Sequence, residues 1–331
     1  MEKNLNPIQI NEGKAKFSAK VLFRSNVFTL LIVMIFVLMV FSFLNKNYFT
    51  GDNAINILTA ASIVGLLAIG QTYLIIAGHI DLSSGSAAAF AGVFAAIFVK
   101  SGMPWPLAMM IVVAVCLGVG LLNSLLVNIF DLQPFIATLA TASVFEGLGY
   151  IICDGRPVGI SDESFIFMGA GKVFGIPIPV IILIALFILF GFILAKTTFG
   201  RSVYMIGGNA TAARLAGLRP KKISTVLYLL SSGISAAAGI ILAARMHSGA
   251  PSAVHGSEFD AITATVLGGV AFTGGTGTMA GCFIGLVIIQ CFNNGLTVVG
   301  VSSFWQIVAK GLLLIGALIL DYFRRTKFDK A

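Results

Sequence analysis

Polar side chains are sparse in this sequence, and those placed inside apolar runs are mostly of one chemical kind. Gln71, Asn123, Asn128, Thr138, Thr141, Ser231, Ser232, Gln290, Asn293 and Asn294 offer amides and hydroxyls, which donate and accept hydrogen bonds without a fixed charge. Such groups suit a polyhydroxylated solute handled without covalent chemistry, and they equally suit bonding between neighbouring helices. Two acids stand out. Asp81 sits in a polar stretch, GHIDLSSGS at 78–86, between two apolar runs, and Glu146 lies well inside another run. Ionisable groups in apolar spans mark pathways or buried partners. Gln71, Asp81, Asn123, Thr138, Glu146, Asn293 and Asn294 are the candidates for a substrate path.

Other chemistries lack their parts. His247 and His255 stand eight residues apart with no third ligand at a standard zinc spacing. Cys116, Cys153, Cys282 and Cys291 form no CxxC pair, so neither a disulfide framework nor a metal site is indicated. GKA at 13–15 and GKV at 171–173 lack the Ser or Thr of a phosphate-binding loop. No cofactor or metal is expected in this chain; if ATP drives its work, another chain binds it.

The elements that position these residues are apolar spans. Residues are 58% hydrophobic and 10% charged, whereas a water-facing domain needs about a quarter charged. Stretches long enough to cross a bilayer run over 27–44, 54–77, 82–99, 105–129, 134–153, 177–195, 223–244, 260–273, 279–299 and 303–320. The expected fold is an all-α polytopic membrane protein with about ten transmembrane helices, the transmembrane domain covering 27–320. The first run is followed by Asn45, Lys46 and Asn47 rather than a small-residue cleavage site, and reads as a retained span. The eighth, with Asp260 at its start and Gly268 and Gly269 within, reads as short, broken or re-entrant.

The net charge of +8 is not spread as a nucleic-acid surface would require. Fifteen of the 21 bases fall in an N-terminal segment (1–26), a central loop (196–222) and a tail (321–331). Bases beside apolar spans mark the cytoplasmic side, so both termini and the central loop are placed there. The segments 154–176 and 245–258 then lie outside. Five spans on each side of the loop would enter in opposite orientations, the arrangement inverted repeats produce. Small residues recur four apart at Ser84, Ala88, Gly92 and Ala96, at Ser231, Ser235, Gly239 and Ala243, and at Gly277, Gly281 and Gly285; they predict close helix packing.

The central loop, TTFGRSVYMIGGNATAARLAGLRPKK, contains the grammar of a short exposed helix over 207–217. Asn209 can cap it and Gly217 can close it. This loop, with its GR, GGN, AA and G landmarks, resembles that of the membrane subunits of ribose-type carbohydrate ABC importers. GHIDLSSGS, PFIATLATASVFEGL, LGGVAFTGGTGTMAGCFIGL and NNGLTVVGVSSFWQIVAKGL resemble further segments of that family in the same order, over about residues 50 to 320. His79, Glu146 and Thr276 depart from its pattern, standing where the family usually has Gly, Arg and a basic residue.

The resemblance implies the translocation subunit of a bacterial ABC importer for a small sugar, in the plasma membrane. Its partners would be a cytoplasmic ATPase, an extracytoplasmic solute-binding protein and a second permease subunit, the same chain or a close paralogue. Gly200, Arg201, Gly208, Asn209, Ala212, Arg214 and Gly217 would form the ATPase-docking surface. The alternative is an ion-coupled secondary transporter, for which Glu146 would be the membrane-embedded acid. Glu146 and Lys310 each lie seven residues from the outer end of their spans, and equal depth suggests that they pair.

Overall fold

The computed structural model describes residues 26–328; the bases from Lys3 to Arg24, and Lys330, lie outside the described residues. Thirteen helices follow in order. They are α1 (Asn26–Leu44), α2 (Gly51–Ile76), α3 (Ser84–Lys100), α4 (Trp105–Asn128), α5 (Pro134–Ile152), α6 (Glu163–Ala170) and α7 (Ile178–Lys196). Then come α8 (Thr198–Gly208), α9 (Ala210–Leu215), α10 (Pro220–Met246), α11 (Ser257–Leu267), α12 (Met279–Val299) and α13 (Ser303–Phe328). Seven of them, α2, α4, α5, α7, α10, α12 and α13, are long and apolar enough to cross a membrane, while the apolar stretch of α1 from Leu30 and the whole of α3 are shorter. The eighth expected span, 260–273, is not a full crossing. It becomes the 11-residue α11, which stops at Gly268 and is followed by turns to Thr278.

Depth in the bundle follows the small-residue pattern. The hydrophobic windows of α2 and α10 are each 67% buried, whereas that of α13 is 6% buried and faces outward. In lipid no hydrophobic force favours one apolar partner over another, so helices associate where small residues let backbones approach. Two of the predicted stripes do this. A Cβ on Gly239 of α10 would overlap the carbonyl of Ala88 on α3, and one on Gly92 of α3 would meet the Gly239 carbonyl at 2.9 Å. Gly281 and Gly285 of α12 pack in the same way on the carbonyls of Gly268 and Ala264. The large apolar side chains left exposed on α1, α5, α7 and α13 form a surface suited to hydrocarbon.

The two segments read as outside lie at one end of the molecule. β1 (Val158–Gly159) pairs antiparallel with β4 (Ser248–Gly249), whereas β2 (Lys172–Val173) and β3 (Ile176–Pro177) close a local hairpin. The second of these segments does not stay at the surface. Gly249 rests against the Gly92 carbonyl and Val93, and Pro251 and Val254 are buried, so 247–256 dips into the bundle before α11 begins. At the other end, which carries α8 and α9, the chain between α2 and α3 runs inward, from an exposed Gly78 to Asp81, Leu82 and Ser83, which are buried.

Candidate functional site

The basic central loop is built as two helices. Thr197 caps α8, its Oγ1 accepting from the Gly200 amide at 3.2 Å, and Gly200 packs where a Cβ would overlap the Leu194 carbonyl. Asn209 caps α9, its Oδ1 accepting from the Ala212 amide at 2.9 Å, and Gly217 closes the turn at φ +86°. The single helix expected over 207–217 is therefore divided. An N-cap needs extended backbone, and Asn209 at φ −161° and ψ 102° ends α8, so that Gly207 and Gly208 finish the earlier helix. Arg201, Gly208, Asn209, Ala212, Arg214 and Gly217 are exposed, Gly200 is buried, and Ala213 anchors α9. Between the bases stands Leu215, 86% exposed, with Met205 on α8 47% exposed.

The same loop is locked to the bundle by glycines. The Gly275 amide donates to the Ile76 carbonyl at 2.8 Å. A Cβ on Gly207 would overlap that carbonyl and lie 2.7 Å from the Gly275 amide. Tyr204 donates its hydroxyl to the Gly277 carbonyl at 2.7 Å, and burial pushes its phenol above the ordinary value. Three strands of backbone thus meet: the end of α2, the end of α8 and the turns between α11 and α12.

Four of the seven path candidates gather at one buried network. Asp81 is fully buried, and its carboxylate accepts from the Ser83 amide at 2.9 Å, the Ser83 hydroxyl at 2.6 Å and the Ser231 hydroxyl at 2.7 Å. Gln71 donates to the Asp81 carbonyl and to the Ser84 hydroxyl. Asn123 donates to the Ser83 hydroxyl at 2.7 Å, and the Leu82 amide donates to Thr138 at 3.1 Å. This is irregular backbone satisfied by side chains of α2, α4, α5 and α10, as unwound chain inside a membrane must be. Asn294 accepts from Asn53 at 2.9 Å and joins α12 to α2.

The remaining candidates, Glu146 and Asn293, lie apart. Lys310 does not meet Glu146; it donates to Asp260 at 2.7 Å, and Asn293 donates to the same oxygen at 3.2 Å. Glu146 instead approaches His255 at 3.4 Å. Depth matched Glu146 to Lys310, but azimuth decides contact: α13 packs on α11, which carries Asp260, while α5 packs on α3 and α4. Glu146 lines a cavity of about 150 Å³ between α3, α5 and the start of α11.

With this geometry in view, comparison with known proteins is direct. Residues 53–318 match the family of permease components of branched-chain amino acid transport systems. The chain belongs to that family. It is similar to the ribose import permease protein RbsC of Bacillus subtilis (strain 168), with 40% identity over 282 residues, covering 85% of this chain and 88% of the relative. RbsC of Haemophilus influenzae is 36% identical over 300 residues, 89% of this chain and 93% of that one. The L-arabinose transport system permease protein AraH of Escherichia coli (strain K12) is 37% identical over 279 residues, 84% and 85% of the two chains. No solved structure matches.

As a permease component this is a multi-pass membrane protein, and several residues placed by its fold escaped sequence reasoning. Asp260 marks the start of an uncertain span in the sequence, and His255 reads there as an ordinary loop histidine for want of a third metal ligand. Glu258, at the cavity, looked like a loop acid. A signal was available for Leu215: one large apolar residue opposite the anchoring Ala213 in an otherwise small and polar helix.

Proposed function

We propose that the chain is the translocation subunit of a bacterial ABC importer for a small sugar, a ribose-like pentose or a related hexose or polyol. It sits in the plasma membrane with both termini cytoplasmic, because the basic loop and tail then face the cytoplasm. It works as a dimer with itself or a close paralogue, receives sugar from an extracytoplasmic binding protein and is driven by a separate ATPase. The observation that carries this reading is the exposed, doubly capped α8–α9 element, which presents Leu215 next to Arg214 on α9, with Arg201 exposed on α8. An exposed apolar anchor beside a charge suits a protein partner better than water. The names of the relatives direct the substrate toward sugars rather than branched-chain amino acids.

Coupling needs two states that each ligand contacts differently. ATP binding by the partner would pull on α8–α9, and the glycine contacts with Ile76 and Gly275 would carry that displacement to α2 and α11. The chain itself performs no covalent step. The test is reconstitution of the chain with its neighbouring ATPase and binding protein in proteoliposomes. ATP-dependent uptake of labelled ribose or arabinose, with no uptake of leucine, is expected. Uptake that follows an ion gradient without ATP, or that takes leucine instead, would contradict the reading.

A further inference from the structure

The cavity beside Glu146 has a lining that the translocation reading does not by itself explain. Ser86 comes from α3, Ser143 and Glu146 from α5, His255 from the chain dipping in before α11, and Glu258 and Phe259 from the first turn of α11. Glu146 lies six residues inside the end of α5 at Ile152, about 9 Å along the helix. The Glu258 carboxylate lies directly over Gly85, where a Cβ would overlap its Oε2. That glycine is what makes room for the carboxylate between α3 and α11.

These groups define a ligand. An ionised carboxylate only accepts, a serine hydroxyl both donates and accepts, and an imidazole adds a donor or an acceptor. Two carboxylates from different helices therefore call for a molecule carrying several O–H donors, and hydrogen bonds to charged acceptors are the strong kind. Phe259, 45% exposed, adds an apolar wall for the C–H face of a ring. A zwitterionic amino acid could set its ammonium on one of these acids, but it has no further donor for the other, and its own carboxylate would lie beside them with His255 the one lining group able to offset it. A volume of about 150 Å³ admits a small polyol and not an oligosaccharide.

We infer that this cavity is a binding subsite for a neutral monosaccharide within the permease itself, in which Glu258 and Glu146 accept the sugar's hydroxyls. His255 orients Glu146. The inference rests on the sugar-import reading and goes further, since it gives the membrane subunit a selectivity of its own.

The test is thiol protection on the full chain in lipid nanodiscs. Cys116, Cys153, Cys282 and Cys291 are all buried, so an Ala142→Cys variant reports from the cavity wall over a low background. Labelling by a small thiol reagent should be slowed by D-ribose and not by L-leucine. Glu258→Gln should weaken that protection about tenfold or more, the loss of a hydrogen bond to a charged acceptor. Gly85→Ala, which displaces only the far end of the Glu258 side chain, should weaken it in the same direction while leaving the fold intact. Protection unchanged in both variants, or no protection by any sugar while ATP-driven sugar uptake is intact, overturns the subsite and leaves the importer reading standing. Protection by leucine in place of ribose overturns both.

Discussion

Lys310→Met should loosen the outermost helix, because it strands a buried acid. The Asp260 side chain is 8% exposed and its Oδ2 lies 2.7 Å from Lys310 Nζ; without that partner it keeps the Asn293 amide at 3.2 Å. Breaking a buried ion pair from one side costs about 3–5 kcal/mol. Lys310 is 38% exposed, so solvent already screens part of its charge, and the low end, about 3 kcal/mol, is expected. The cost falls on α13, whose apolar window is 6% buried and which is also tied by Asp321, accepting from the Phe272 amide at 3.4 Å. Adding Asp260→Asn removes the stranded charge, and most of the lost stability should return. The assay is the thermal midpoint in nanodiscs at one fixed scan rate, with thiol access along α13 as a local readout. A single variant as stable as the parent, or a double variant no better than the single, refutes the argument.

Three further outcomes are expected. Leu215→Glu should abolish co-purification with the ATPase while the chain still inserts, and Arg214→Glu should reduce ATP-coupled uptake through charge repulsion at the same surface; normal assembly and uptake in both would remove α9 from the interface. Gly207→Ala sets a Cβ against the Ile76 carbonyl and the Gly275 amide, both backbone, and should cost about 1–3 kcal/mol as overpacking does together with a fall in uptake, read by thermal midpoint and transport. A cysteine at Phe174, which is fully exposed, should label in intact cells, whereas one at Met205 should label only after permeabilisation; labelling of the second from outside would invert the topology.

How much of this was legible depends on whether a residue's role is set along the chain or across it. The Asn209 cap and Gly217 stop are local: an Asx side chain reaching an amide three residues on needs no knowledge of neighbours, and both are present. The spacing of four in Ser84 to Ala96 and Ser231 to Ala243 is also local, and α3 and α10 meet on those faces. Apolar length showed where spans lie but not which are complete: about ten were expected, and among the described residues seven helices are long and apolar enough to cross. α11 ends where Gly269 turns left-handed at φ +92°, and Gly268 there packs on the Gly281 carbonyl of α12, a partner that nothing in the spacing shows. The Glu146–Lys310 expectation failed for the same reason, since rise along a helix fixes depth and leaves rotation open. The polar stretch at 78–86 was open between a surface turn and buried irregular backbone. Only Ser231, Asn123 and Thr138 arriving from three other helices decide for the second.

The short α11 gives these separate features one physical connection. At its start it carries Glu258 at the cavity and Asp260 on Lys310. At its other end the chain turns through Gly274 and Gly275, which touch Gly207, Gly208 and Gly78. Eleven residues of helix rise about 16 Å, too little to cross a bilayer, and with the turns that follow they link the cavity to the α8–α9 element. Such an element moves as a rigid rod, because its backbone bonds are internal. Glycine on both sides of the junction means that the contact is backbone on backbone, with no flexible side chain to absorb a displacement. A shift imposed at α8 would therefore reach the turns at Gly274 and Gly275 directly and α11 through them, and the groups that would have to yield are the ion pair with α13 and the carboxylate over Gly85.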